Sequence, residues 1–286
     1  MLKKGFQILG IISIICFSFF CTEKAVMVIR EQDSIMQEII SLKDKYNIEP
    51  IEASLIDKYY VIPGYNGIKI DIEKSYNSMK RLNKFNDTLL VYEEYKPKLS
   101  INNIYDRYII QGNKVKNMVA LIFKVDENDD ITTLLELLDK NDTKVTFFID
   151  GRWLNDNIDK VKEIIKQGHE VANYGYEHKY SNDFLVWTNN KLKQMNKKRS
   201  KYCYVEEDDM LILNLCQNYR MHTIKPTIIA KNYPYSEVKD NLMAGSIISF
   251  DITDTVLREL RTIIMLIKNK GYKIKILSEH LSEKRE

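Results

Sequence analysis

The sequence predicts an α/β protein: a parallel sheet covered by helices, preceded by a small α+β module, a helical stalk and an apolar N-terminal segment. Three observations predict it. From Met118 onward apolar runs such as "MVALIF" and "KVTFFID" alternate with segments of helical period; the stretch before Met118 is more polar and broken by turn signals; and the first two dozen residues hold one apolar run. Repeated strand-helix units imply parallel strands, because each parallel connection needs a crossover long enough to contain a helix. The 286 residues suffice for one large domain with attachments. Lys and Arg number 43 against 40 Asp and Glu, a net charge of +3 without a basic block, which argues against nucleic acid as a dedicated partner.

In "MLKKGFQILGIISIICFSFFCTEK", Lys3 and Lys4 precede an apolar run from Gly5 to Cys21. As a helix such a run rises about 25 Å, near the lower limit for a hydrocarbon core of about 30 Å. No small-residue cleavage pattern follows, and Phe20 stands where a lipoprotein signal takes a small residue before its cysteine. Residues 1–22 therefore read as a signal peptide or signal anchor, the anchor being favoured; the membrane is then a partner through this segment, and the main domain lies outside the cytoplasm. Cleavage would make the protein secreted. Ile29, Ile35, Met36, Ile39, Ile40 and Leu42 recur with a helical period that Pro50 closes, so residues 23–49 read as a stalk helix. Residues 50–117 form the small α+β module and a connector. Pro-Gly and Asn-Gly turns lead into a short strand over 68–72 and a helix carrying Ile72, Tyr76, Met79 and Leu82, followed by a polar stretch of little periodicity.

From Met118 the pattern sharpens. After the first strand, Asp130 is placed to cap a helix with Ile131, Leu134, Leu135 and Leu138 on one face. The second strand is "KVTFFID". A helix from Asn155 to Lys166 buries Ile158, Val161 and Ile165, and Gly168 suits the positive φ that ends it. "HEVANYG" and "GSIISFDI" are further strands, and "LRELRTIIMLIKNKGYKIKIL" is a helix, its stop glycine and a last strand. Chemistry in such sheets sits at the carboxyl ends of strands, so the residues after Phe123, Ile149, Ala172 and Phe250 are candidates. Cys16 and Cys21 lie in the apolar run. Spacing does not establish a bridge between Cys203 and Cys216, and two unpaired, semi-buried thiols are the favoured state.

"VALIFKVDENDD", "KVTFFIDGRW", "IIKQGHEVANYGYEH" and "GSIISFDI", in this order, resemble the polysaccharide deacetylases, carbohydrate esterases with a NodB-homology domain. The resemblance runs from about Met118 to Leu281, within a domain placed at residues 118–286. Upstream, "IPGYNGIKIDIEKSYNSMK", "LLVYEEYKPKL" and "QGN" resemble the sporulation-associated subgroup of spore-forming Firmicutes. The resemblance implies a distorted (β/α) barrel and an ancestry in removing acetyl groups from cell-wall glycans. It also implies a metal, usually zinc, held by one Asp and two His to polarise the acetyl carbonyl and activate water, with a second Asp as base and a His as acid.

The sequence departs from that pattern at nearly every position. Where the family has Thr-Phe-Asp-Asp-Gly, Phe123 is followed by Lys124, Val125 and Asp126. A lysine there opposes a metal: a unit charge about 4 Å from a cation costs on the order of 4 kcal/mol at an effective dielectric near 20. Asp126, Asp129 and Asp130 read as helix caps and solvated charge. Of the paired histidines, the first is Tyr174 and only His178 survives; the family's arginine is matched by Lys201, with Tyr204 retained; the acid histidine is matched by Asp251. "TIKPTIIAKNY" lacks the orienting aspartate, and His169, His222 and His280 fall outside these positions, in packing or surface roles. No intact catalytic set, and no metal or other cofactor, is expected; zinc or another divalent ion belongs only to an active form. Trp153, Tyr174, Tyr176, His178 and Tyr204 are candidates for contact with a cell-wall glycan, and Tyr180 is a further aromatic near the expected mouth. Three functions fit: an inactive envelope pseudoenzyme that binds glycan or scaffolds envelope or spore assembly, a deacetylase with a relocated site built on His178, Asp126 and Asp251, or a purely structural membrane-anchored protein.

Overall fold

The computed structural model describes residues 12–13, 17–18, 33–127 and 129–285. The chain forms two compact units, one from residues up to Pro50 with Gly67–Tyr95, the other from Ile51–Asn66 with Lys96–Glu286. Each unit is therefore built from two separate stretches of the chain. The anchor or signal expected over 1–22 lies, apart from four residues, outside the described residues. Among the described residues no helix is long and apolar enough to cross a membrane.

The strands in chain order are β1 (Ser54–Ile56), β2 (Tyr60–Ile62), β3 (Gly67–Ile70), β4 (Tyr92–Tyr95), β5 (Tyr108–Ile109), β6 (Met118–Val125) and β7 (Thr146–Ile149). They continue with β8 (Glu170–Asn173), β9 (Tyr202–Tyr204), β10 (His222–Ile224), β11 (Ile228–Ala230), β12 (Ile247–Asp251) and β13 (Lys273–Ile274).

In the smaller unit Asp33 caps the helix Ser34–Tyr46 by accepting from the Ile35 amide, and its other oxygen receives the Tyr76 hydroxyl at 3.0 Å. Ile35, Met36 and Ile39 are buried with Ile70, Tyr76, Met79 and Leu90. The described part of the expected stalk is thus half of a small core: its apolar stripe is covered by the helix Ile72–Lys80 and the antiparallel pair β3–β4. Leu82 falls beyond the second helix and is exposed.

In the larger unit the strand orders are β1-β2-β5-β10-β9 and β11-β12-β6-β7-β8, with β13 added beside the start of β6. All pairings are parallel except β1–β2. Alternation along β6 explains how the two sheets enclose one interior. All eight of its residues are buried, but Val119, Leu121, Phe123 and Val125 join a core with helix residues such as Leu134, Val161 and Leu260. Ala120 and Ile122 face the other way, meeting Ile109, Tyr202, Tyr204 and Ile224 from the second sheet. This is the distorted barrel, helices outside and apolar side chains within. The polar connector supplies the middle strand β5 of one sheet, so this part of it belongs to the barrel wall.

Two further expectations change. Asp150 caps a helix that begins at Gly151, by accepting from the Arg152 amide, and Asn157 breaks it, so Gly151–Asp156 and Ile158–Lys166 replace one continuous helix. The break moves the apolar face: Val161 and Ile164 are buried while Ile158 is exposed. Gly168 has φ +83°, as its place after that helix requires. Cys203 and Cys216 are disulfide-bonded, not free thiols. The chain returns from β9 through the helix Met210–Asn218, which brings the two Cα atoms to 6.5 Å beside Leu185 and Met221.

Candidate functional site

The parity of β6 turns Lys124 inward at the carboxyl end of the strand, level with Asp251 of β12 and Phe148 of β7. Its side chain is only 6% exposed, and its Nζ lies 2.5 Å from Glu206 Oε1 and 2.5 Å from Asp251 Oδ1. The second Glu206 oxygen takes Lys231 Nζ at 2.5 Å. Tyr204 lies close by, its hydroxyl 2.9 Å from Ser249 Oγ and donating to Glu206 Oε1 at 3.3 Å. Its ring centroid is 5.6 Å from the Lys124 ammonium, within the range of cation–π attraction. Two cations and two carboxylates thus interlock across the barrel mouth. Burial works to raise the Glu206 carboxyl, but hydrogen bonds from Lys124 and Lys231 outweigh it and hold the group below the usual carboxylate range. The hydrogen bond to Glu206 raises the Lys231 ammonium in turn.

Beside this network the turn from Gly175 to Lys179 places Glu177 and His178 at positive φ, 49° and 59°. The turn is tied down from below: Asp150 Oδ2 accepts from the His178 amide at 2.9 Å. His178 Nε2 is 2.8 Å from Asp126 Oδ1, both side chains being about half exposed. Asp129 Oδ2 accepts from the Asp126 amide, and burial pushes the Asp129 carboxyl up to about 6 against that hydrogen bond. Asp130 accepts from Thr132 and Lys160 and is held down to about 2 by those bonds, the solvated helix-start role expected of it.

The aromatic candidates separate. Trp153 is core, 2% exposed, with Nε1 donating to the Asp129 carbonyl, and Tyr204 is 3% exposed. Neither offers a face to a sugar. Tyr180 donates to the Asn173 carbonyl and accepts from the Tyr204 amide, so it joins β8 to β9. Tyr176 stacks on Phe184 and meets Trp187 edge-on. Tyr174, half buried, stands between His178 and Tyr204 with ring centroids 5.5 Å from each. Val125 faces the helices in the outer core, away from the mouth. Lys201 precedes β9 and lines a cavity at the opposite end of the strands, so it does not take the arginine's place; the cations that reach the mouth are Lys124 and Lys231.

Glu206 and Lys231 escaped the sequence reading. Lys231 directly follows β11 and Glu206 stands two residues beyond β9, strands of three residues each, too short for an alternating pattern to show. The strand-end rule would have found both had those strands been recognised. His169, His222 and His280 are buried and held down to about 4, mainly by burial. They serve packing: His169 Nδ1 accepts from the Val145 amide, His222 stacks on Tyr105, and His280 Nε2 donates to the Gly245 carbonyl.

A catalytic metal does not fit this mouth. Among the described residues no three His, Cys, Asp or Glu side chains are grouped to hold one. Lys124 already places a positive charge against Asp251 and Glu206, and the phenol at the lost histidine, Tyr174, is raised by burial, which keeps it protonated and a poor ligand.

Residues 111–242 match the polysaccharide deacetylase domain family. Wild-type BA3943 of Bacillus anthracis, a CE4 family pseudoenzyme, is 28% identical, with a TM-score of 0.68 over 89% of this chain and 97% of that one. A BA3943 mutant gives a TM-score of 0.69 over 89% of this chain and all of that one. The uncharacterised YlxY of Bacillus subtilis is 28% identical over 278 residues, 91% of this chain and 87% of that protein. The chitin deacetylase of Colletotrichum lindemuthianum shares the fold, with a TM-score of 0.54 at 19% identity over 62% of this chain and 92% of its own. With its barrel, its inward strand-end residues and these relatives, the chain carries a polysaccharide deacetylase domain, matched over residues 111–242.

Proposed function

We propose that this protein is a non-hydrolysing deacetylase-like protein of the cell envelope, which holds glycan or a partner without removing acetyl groups. One observation carries the proposal: the Lys124 ammonium sits between Asp251 and Glu206, on the strand end where the family's chemistry needs carboxylates for a metal and a water. The remaining departures at Val125 and Tyr174 act in the same direction, and catalytic groups that work as a unit leave no independent residual rate to add. The relative BA3943 is itself a pseudoenzyme, and one of its mutants has restored enzymatic activity, which supports the view that this scaffold persists when hydrolysis is lost. Placement outside the cytoplasm is favoured by the Cys203–Cys216 bridge, since disulfides persist in oxidising compartments. In the apolar run at 1–22 the sequence offers an anchor or leader for that placement. Tyr174 and His178, ring-bearing mouth residues with surface left to solvent, are the groups we assign to glycan contact there.

A second function rests on the His178–Asp126 pair, 2.8 Å apart and open to solvent, which has the form of a base and its orienting carboxylate. Metal content and acetate release separate the two. The purified protein is expected to keep substoichiometric zinc or cobalt after dialysis and to release no acetate from chitin oligomers or peptidoglycan above a blank. Stoichiometric metal that is lost on His178→Ala, together with acetate release, would establish the relocated enzyme instead.

A further inference from the structure

At the amino ends of the strands, away from the mouth, a cavity of about 1130 Å³ is lined by the starts of β8, β9 and β10 and by the segment after β13. Lys96, Lys198, Arg199, Lys201, Arg220 and Lys284 stand in its wall, all exposed, and among the described residues no ion pair engages them. The wall also holds two carboxylates, and the protein itself occupies both. Glu170 accepts from Thr146 Oγ1 at 2.9 Å and from the Ser278 amide at 3.0 Å, while Glu283, 5% exposed, accepts from the Gly64 and Ile101 amides at 2.9 and 3.1 Å and from the Ser100 hydroxyl. Six cations against two engaged carboxylates is a local excess in a chain whose whole net charge is +3. The excess is therefore a property of this cavity and not of the surface at large.

The rest of the lining narrows the ligand. The volume far exceeds what one inorganic anion fills and matches a ligand of several rings. Asn190, exposed, brings an amide into the wall, a group that pairs with hydroxyls through both donor and acceptor. Tyr219, 41% exposed, offers a ring face. His222 lines the same cavity at 7% exposure with Nδ1 lacking any hydrogen-bond partner. We propose that this cavity binds an acidic oligosaccharide, its carboxylate or phosphate groups on the lysines and arginines and its hydroxyls at Asn190 and the face of Tyr219. The site goes beyond the reading of the mouth, shares no residue with it, and stands or falls without reference to metal or acetate.

Fluorescence anisotropy of the full chain with labelled hexagalacturonate and with a labelled phosphorylated mannose oligomer tests this, with a neutral chitin oligomer and a single-stranded DNA oligonucleotide as comparisons. Either acidic sugar is expected to bind more tightly than the neutral one, with affinity falling as salt rises; the tighter of the two identifies the anionic group. Lys201→Glu with Arg220→Glu is expected to weaken that binding at least tenfold, while Lys124→Met at the mouth leaves it unchanged. Should the charge reversals lower the melting midpoint, Lys198→Gln with Arg199→Gln, on a different part of the wall, gives the same direction without reversal. Failure of both acidic sugars to bind at low salt, equal binding of the neutral oligomer, indifference to both pairs of substitutions, or tighter binding of the DNA would each overturn the proposal.

Discussion

Replacing Lys124 by methionine keeps the side chain's length and removes the ammonium, so it isolates the charge that closes the mouth. The ammonium stands 2.5 Å from both carboxylates; the Lys124 side chain is 6% exposed, Glu206 28% and Asp251 41%. At that separation a unit pair is worth about 7 kcal/mol at an effective dielectric near 20 and about 2 kcal/mol in water. The exposure of Asp251 places its pair nearer the second figure. Against the attraction stands the several-kcal/mol cost of taking an ammonium out of water, which the substitution relieves. Glu206 also keeps Lys231 after the change, so the charge left unbalanced is chiefly Asp251, and that group can turn toward solvent. The net expectation is destabilisation by about 1–3 kcal/mol, less than the 3–5 of a pair buried on both sides. In a unit of this size each kcal/mol moves the melting midpoint by about 2–4 °C, so a fall of roughly 2–12 °C is expected. Thermal unfolding at neutral pH, at low and high ionic strength, measures it, and the gap between the proteins should narrow as salt screens the exposed carboxylates. An equal or higher midpoint for Lys124→Met would refute the reasoning, because it would mean that desolvation outweighs the contacts.

Removing the bridge by Cys203→Ser with Cys216→Ser opens a loop whose ends are 13 residues apart, worth about 3 kcal/mol in the chain-entropy account; chemical denaturation with and without reductant checks it, and no effect of reductant on the parent protein would count against the bridge. Gly168→Val should lower stability by about 1–2 kcal/mol through backbone strain at positive φ. An added Cβ would meet nothing nearer than 3.9 Å, so a crowding effect is absent, and an unchanged urea midpoint would reject the helix end placed there. Burial holds His280 down to about 4 from an ordinary 6.5; its folded form is the neutral one, so the stability it contributes is present above about pH 6.5 and lost as pH falls toward 4. The full loss is on the order of 3 kcal/mol, with His169 and His222 acting in the same window, and a stability profile flat between pH 7 and pH 4 would contradict it.

What the sequence revealed, and what it hid, follows from the length of each signal. β6, the helix Thr132–Lys140 and the helix Asp254–Asn269 are long enough for a period to repeat, so they stood out. β5, β9, β10 and β11 run two or three residues, less than one cycle of any pattern, and the barrel's second sheet went unseen with them. The helix Ser34–Tyr46 was visible, but its covering partner was not, because an apolar stripe shows that something packs on it without naming what. Lys201 shows the limit of matching letters to a motif. In "KYCYV" the interior residues are Tyr202 and Tyr204, and Cys203 faces the helix that carries Cys216. A residue placed before the strand stands at its amino end and cannot share a mouth with the residues that follow the other strands.

The same parity explains why the missing chemistry is hard to regain one residue at a time. Asp251 and Glu206 face each other's neighbourhood through Lys124. Lys124→Asp would gather three carboxylates where only Lys231 remains to balance them, and like charges at one site disfavour ionisation of at least one. Val125→Asp would not help, since Val125 is wholly buried against the helices, where an unpaired carboxylate costs several kcal/mol or stays protonated. Tyr174→His would restore an imidazole facing His178, yet without a carboxylate at the strand end it would lack the third ligand a catalytic metal needs. Each single reversal is thus unfavourable in the background of the others, whereas Lys124 satisfies both carboxylates at once. An ammonium held by protein carboxylates does for the stability of this mouth what a bound cation would do, and it does so without a Lewis acid or an activated water to offer a substrate.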